Sequence, residues 1–269
     1  MKLKYTAAWV GFTAAAMVAV SACGSGGVRA AGAAVDSADK IMAVLSHATD
    51  QTDRLGSAEV SVSTETGTGT PLTMDGTFSW GDGLAMDVRM ATKDVHMEAL
   101  QHSATIRTLF VDGAYYYDVD PQPSGPLKGK QWMEIKASAV LGDKADQALG
   151  GAGEGNPADI LKYLKYASNV KDLGKETVDG QRTAHYRAVV DKAEMGKYGA
   201  VLGDDVTSVP MDVWIGAKDL PVRVRERLGE KTVTMDFKKF GATAPVKAPP
   251  AAQTADLTKT IEDARKRQS

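Results

Sequence analysis

Residues 72–90 read Leu72-Thr73-Met74-Asp75-Gly76-Thr77-Phe78-Ser79-Trp80-Gly81-Asp82-Gly83-Leu84-Ala85-Met86-Asp87-Val88-Arg89-Met90. Apolar Leu72, Met74, Phe78 and Trp80 alternate with Thr73, Asp75, Thr77 and Ser79, and after Gly81-Asp82-Gly83 the alternation resumes through Leu84, Met86, Val88 and Met90. A period of two sends successive side chains to opposite faces, so this stretch predicts two antiparallel strands with one wet and one buried face. A helix would need its apolar residues three and four apart, and they are not.

The same period extends in both directions. Ala58, Val60 and Val62 alternate with Glu59, Ser61 and Ser63 upstream. Downstream, strands are expected at 95–100, 105–111, 114–119 and 131–135, then at 170–178, 182–190, 209–215, 222–228 and 232–240. Asp112-Gly113 and Asp179-Gly180 read as tight hairpin turns, because glycine tolerates positive φ. Three helices interrupt the strands: one over 36–54 with Ile41, Val44, Leu45 and Ala48 on one face, one over 137–149, and one after Asn156-Pro157 with Ile160, Leu161 and Leu164 as its stripe. A further helical stretch is expected over 192–202. The Pro/Ala-rich segment 244–252 reads as a linker, and 254–267 as a marginal helix at a loose C-terminal end. The fold class that follows is α+β: a curved antiparallel β half-barrel with helices closing its concave face.

The N-terminus carries a different kind of signal. Lys2 and Lys4 precede an uncharged stretch from Tyr5 to Ala22, which ends in Val20-Ser21-Ala22-Cys23. Positive residues, an apolar run and small residues before a cut define a signal peptide, here residues 1–22. Val20-Ser21-Ala22-Cys23 resembles the lipobox of bacterial lipoproteins, with Val where Leu is commoner. That resemblance implies a diacylglyceryl group on Cys23 and a membrane partner through it, placing the chain at the extracytoplasmic face of the cell membrane. Cys23 is the only cysteine, so an internal disulfide is excluded. Residues 23–35 are expected to be the lipidated cysteine and a flexible tether, with a span of roughly 20 Å for about 12 residues. Residues 36–243 form the folded domain, and 244–269 the tail.

Enzyme chemistry finds little support. His47, His96, His102 and His185 show no i, i+4 pair, so no metal site is expected. No serine sits in a nucleophile elbow, and Gly150-Gly151-Ala152-Gly153-Glu154-Gly155 lacks the Lys-Ser/Thr that closes a phosphate loop. Asp204-Asp205 and Asp118 with Asp120 read as solvated turn residues. A net charge of -2, from 32 basic and 34 acidic residues, disfavours nucleic acid as a partner. No catalytic residue and no cofactor are implied.

The lipobox, the helix, the long meander, the mid-chain helices and the late hairpin patterns together carry a wider likeness. Val178-Asp179-Gly180 with His185-Tyr186-Arg187, Asp212-Val213-Trp214-Ile215, Leu220-Pro221-Val222-Arg223 and Phe237 to Gly241 resemble the actinobacterial LppX/LprG-type, LolA-like lipoproteins. What this implies is an open half-barrel with helices as a lid over an apolar cavity that in some relatives holds lipid. Leu72, Met74, Phe78, Met86, Val88, Met90, Ile160 and Leu164 are its candidate lining, methionine suiting a pocket that adapts to acyl chains. The expected role is non-enzymatic binding of a lipid or other amphiphile for carriage or retention. The alternative is an envelope interaction or regulatory lipoprotein with a filled core that recognises a protein partner.

Overall fold

The computed structural model describes residues 26–67, 69–141, 157–241 and 243–267. The signal peptide, Cys23 and the glycine-rich run at 150–155 lie outside them. Two units are distinguished, residues 1–36 and 37–269.

Twelve strands form one open sheet: β1 (Ser57–Glu65), β2 (Leu72–Ser79), β3 (Ala85–Ala91), β4 (Thr105–Val111), β5 (Ala114–Asp118), β6 (Trp132–Lys136), β7 (Ser168–Val178), β8 (Gln181–Asp191), β9 (Ser208–Ile215), β10 (Pro221–Leu228), β11 (Lys231–Phe240) and β12 (Thr254–Asp256). Their order is β12-β6-β5-β4-β3-β2-β1-β11-β10-β9-β8-β7, antiparallel throughout except for the parallel β12–β6 pair. Two meanders, β1–β6 and β7–β11, are thus joined through β1 and β11. The expected hairpins occur where Asp112-Gly113 and Asp179-Gly180 take positive φ at both turn residues, the geometry whose twist matches that of the strands.

Helix α1 spans Gly26–Leu55, α2 Ala137–Leu141, α3 Pro157–Lys162, α4 Gly196–Val201 and α5 Thr258–Lys266. Ile41, Leu45 and Ala48 of α1 and Ile160, Leu161 and Leu164 of the α3 region join Val60, Val190, Val209, Met211, Val213, Val224 and Phe237 in one buried cluster. One sheet face therefore carries the core. Gly56, at φ +68, ends α1 in the left-handed conformation, and Trp80 donates to the Thr52 carbonyl at 3.1 Å, fastening the helix end to β2.

Three expectations need correction, and a fourth lies partly outside the described residues. α1 begins at Gly26 and not near Asp36, so most of the expected tether is helical; Ala30, Ala31, Ala33 and Ala34 are strong helix formers. The strand expected over 95–100 is absent: a 3-10 turn spans Thr92–Val95, with His96 left-handed at its end. Helix α2 is described only to Leu141, and the rest of the expected 137–149 helix lies outside the described residues. The C-terminal segment is docked and not loose. Val246 packs beside Leu109, Val111, Tyr116 and Trp132, β12 pairs with β6, and Leu257 and Ile261 pack with Met133 and Ile135.

The opposite sheet face is more polar, apart from apolar patches around Trp132 and Trp214, and the deeply buried charge of Asp212 on it is neutralised in place. Asp212 on β9 accepts from Arg187 Nε at 2.7 Å and from Arg227 at 3.2 Å, and it meets His185 Nε2 at 3.2 Å. His185 stacks on Trp214 with centroids 4.2 Å apart and reaches Glu176 at 2.7 Å. Burial acts to raise the Asp212 carboxyl, but the hydrogen bonds from Arg187 and His185 and the charge of Arg227 hold it below the ordinary range. Its stabilisation is therefore present above the unfolded Asp pKa and lost as pH falls through the folded value. Asp212→Asn leaves the basic groups unneutralised and should lower urea-unfolding stability by about 2 kcal/mol at pH 7. The deficit should shrink on acidification, and a pH-independent deficit would rule out the charge as its source.

Candidate functional site

The helix-covered face of β2–β5 is ordered by register into three cross-strand ladders. Met74, Met90 and Ile106 form the first; Gly76, Val88, Thr108 and Tyr117 the second; Phe78, Met86, Phe110 and Tyr115 the third. Directly opposed side chains of this kind are nearest neighbours on one face. Gly76 is required in the middle ladder: a Cβ there would stand 2.1 Å from the Asp87 carbonyl oxygen and 2.7 Å from Val88 Cα.

Burial varies along these ladders in a particular way. Val88, Ile106, Thr108, Phe78 and Phe110 are buried, whereas Val62, Met74, Met86, Met90, Tyr115 and Tyr117 are only half-buried. To one side, α1 and the α3 region cover the sheet. To the other, Ala139 of α2 and Ile261 of α5 pack with Met133 and Ile135. Between these two covered regions lies a strip of flexible thioethers and tyrosine rings, with Phe110 4.9 Å from Tyr115 and Tyr115 6.3 Å from Tyr117. Burial pushes the Tyr117 hydroxyl up to about 12, so at neutral pH the strip carries no tyrosinate.

Five of the eight residues singled out from the sequence therefore share this surface: Met74, Phe78, Met86, Val88 and Met90. Ile160 and Leu164 do not lie on it; they are buried in the core beneath the α3 region, and Thr49 of α1 reaches the Leu161 carbonyl at 3.2 Å. Leu72 stands apart. It is 46% exposed at the start of β2, opposite Thr64, and outside the apolar cluster. Alternation assigned it the right phase but carries no information about how far along a strand the helical cover extends.

Two polar residues on this face, and a tyrosine of α4 that reaches one of them, were not anticipated. Thr108 is buried in the middle ladder and its hydroxyl has no hydrogen-bond partner. Glu226 on β10, 1% exposed, receives a hydrogen bond from the Tyr198 hydroxyl on Oε2 at 3.2 Å, while Oε1 has none. Tyr198 stacks on Tyr163 at 5.8 Å. Burial, with Glu226 beside it, pushes the Tyr198 hydroxyl up. The signal for Glu226 was present in the sequence: in Val224-Arg225-Glu226-Arg227-Leu228 it falls on the apolar phase. Among the described residues no group of three His, Cys, Asp or Glu side chains is placed to hold a metal ion. His102 instead meets Asp120 at 2.5 Å on the surface.

The architecture is an open, almost wholly antiparallel sheet with one helix-covered, methionine-bearing face. In structure the chain is similar to the lipoprotein LppX of Mycobacterium tuberculosis, with a TM-score of 0.54 at 16% identity over 78% of this chain and 99% of that one. It is similar also to LprF of Mycobacterium bovis, with a TM-score of 0.53 at 14% identity over 79% and 98%. In sequence it is 28% identical over 225 residues to a Streptomyces coelicolor protein named as a candidate lipoprotein, covering 78% of this chain and 73% of that one. An uncharacterized 31.2 kDa protein of Streptomyces griseus is 25% identical over 245 residues, covering 82% and 80%. No protein-family model matches the chain. The resemblance is thus supported at the level of fold: the chain has the fold of the lipoproteins LppX and LprF, and the two sequence relatives above are from Streptomyces.

Burial pushes the Glu226 carboxyl up to about 7, against a smaller opposing effect of the Tyr198 hydroxyl. The unfolded chain releases this proton near the ordinary 4.5, so between these values the native state holds more protons and stability falls as pH rises. Glu226→Gln removes that loss. Relative to wild type it should gain little at pH 4.5 and on the order of 3 kcal/mol above pH 7 in denaturant titrations. An equal effect at both pH values would mean that the carboxyl does not titrate in the folded state.

Proposed function

We propose that the chain is a membrane-anchored, non-enzymatic lipoprotein that holds a lipid or other amphiphile on the strip between β2 and β5. The observation that carries this reading is the half-burial of Met74, Met86 and Met90 on β2 and β3, beside the part of the face that α1 and the α3 region cover. A core evolved only for packing has no reason to leave a row of thioethers partly uncovered, because interiors pack to crystal-like density. Methionine is also the side chain that adapts most readily to an irregular acyl chain. The lipoprotein names of the structural and sequence neighbours support the same reading. In this proposal Cys23 carries the acyl anchor and holds the protein at the extracytoplasmic face. No helix among the described residues is long and apolar enough to cross a membrane.

The filled-core alternative has its own support. Phe78 and Val88 are buried, and the region under α1 is a dry apolar cluster. The alternative assigns recognition to an outer surface and binds a protein. The two readings diverge in one experiment. The Cys23→Ser chain, purified from its host so that no anchor acyl group is present, should carry lipid detectable by native mass spectrometry. Met86→Trp, which fills the strip, should abolish the co-purifying lipid while the chain still unfolds cooperatively. Lipid-free wild-type protein would sink the carrier reading.

A further inference from the structure

Away from the strip, a cleft of about 500 Å³ opens at the strand ends, between the end of α1 and the turn joining β9 to β10. This volume lies within the range of small-molecule sites. Its apolar lining includes Leu55, which is 37% exposed, and the half-buried Phe240, whose ring stacks at 5.4 Å on Phe237 of the core. Its polar lining includes Gln181, Lys218 and Lys238. Lys238 leans on Asp75 at 3.5 Å. Lys218 has no ion pair and the Gln181 amide no hydrogen-bond partner among the described residues, so both donors face the cleft region uncommitted.

The turn that bears Lys218 is built at a cost that its neighbours avoid. Lys218 (φ +62) and Asp219 (φ +55) are consecutive left-handed residues, and neither is glycine. The turns at Asp112-Gly113 and Asp179-Gly180 supply glycine at their second position, which removes most of the steric penalty. Here the second position is Asp219, and its carboxylate is used: it meets His47 Nδ1 of α1 at 3.1 Å. The Gly216 amide donates to the Leu220 carbonyl at 2.8 Å and closes the turn. A strained turn, tied to α1 and closed at its base, thus holds a free ammonium group beside stacked phenylalanines. Backbone strain retained in this way accompanies ligand clamps more often than plain connections.

We propose that this cleft binds an amphiphile with an anionic headgroup, a phosphate or carboxylate, with Lys218 on the anion, Gln181 beside it and the apolar group on Leu55 and Phe240. The inference rests on the amphiphile-binding reading above and adds a second place for an amphiphile, separate from the strip, with a preference for the charge of its headgroup. The test uses the full Cys23→Ser chain with two fluorescent probes, a pyrene-labelled fatty acid and the corresponding fatty alcohol, and inorganic phosphate as competitor. The acid should bind about fivefold more tightly than the alcohol, the scale of one exposed ion pair. Lys218→Gln should erase that preference without changing affinity for the alcohol, and Lys218→Arg should retain it. Inorganic phosphate at millimolar concentration should displace neither probe; displacement of the acid would overturn the proposal in favour of a free oxyanion site. Equal binding of the two probes, unaffected by either variant, would overturn the headgroup assignment alone. Binding of neither probe would overturn the amphiphile reading with it.

Discussion

A single open sheet has two faces, and a chain with apolar residues on every second position of its strands must keep one of them from water. Everything else in this fold answers to that constraint. Twelve strands are too wide for one helix to cover, since neighbouring strands stand nearly 5 Å apart. Cover is therefore assembled from pieces distant in sequence: α1 and the α3 region over one part, α2 and the C-terminal α5 over another. The seam between the pieces falls on β2–β5, where Met74, Met86 and Met90 remain half-buried. The candidate ligand surface is thus a consequence of how the sheet is covered, and its residues were supplied by strands whose alternation is otherwise ordinary.

Two buried carboxylates show how differently the faces treat charge. Asp212 sits on the polar face among Arg187, Arg227 and His185, and its ionised form is neutralised by groups that also reach water. Glu226 lies on the apolar face with one tyrosine hydroxyl and an oxygen without a partner. Ionising it there has little to offset the desolvation cost, so the same functional group is driven to its neutral form. One side chain uses its charge to tie three strands together, whereas the other is tolerated only while protonated at neutral pH or below.

Legibility from the sequence tracked the range of the interaction. The hairpins at Asp112-Gly113 and Asp179-Gly180 and the phases of Met74, Phe78, Met86, Val88 and Met90 depend on neighbours a few residues away, and the sequence discloses them. The exposure of Leu72 and the burial of Ile160 and Leu164 in the core depend on where helices from elsewhere in the chain lie, which alternation does not encode. The failed strand at 95–100 is a local case: the left-handed His96 ends a 3-10 turn there, and the run of apolar residues nearby imitates strand periodicity. Glu226 is legible in phase, but alternation alone does not distinguish a buried carboxylate from the charges of Arg225 and Arg227 beside it. The bulge between Pro221 and Arg223, which turns Val222 toward Trp214 and Val178, has no sequence signature that alternation could detect.

The two sheet edges carry the same argument to its end. An edge strand offers unpaired backbone groups to any passing strand, and it needs either cover or deterrents. At one edge, residues 243–256 pass Val246 across the polar face beside Trp132, pair as β12 with β6, and lead into α5 on the other face. This segment has few apolar residues and weak helical periodicity, so it reads as loose when considered alone; its order comes from β6 and α2, more than 100 positions earlier. At the other edge no similar cover is found among the described residues, and β7 protects itself. It places Lys171, Asp172, Lys175 and Glu176 along an exposed strand, breaks its register twice, and bends at a left-handed Gly174. Charge and irregularity make β7 a poor template for strand addition.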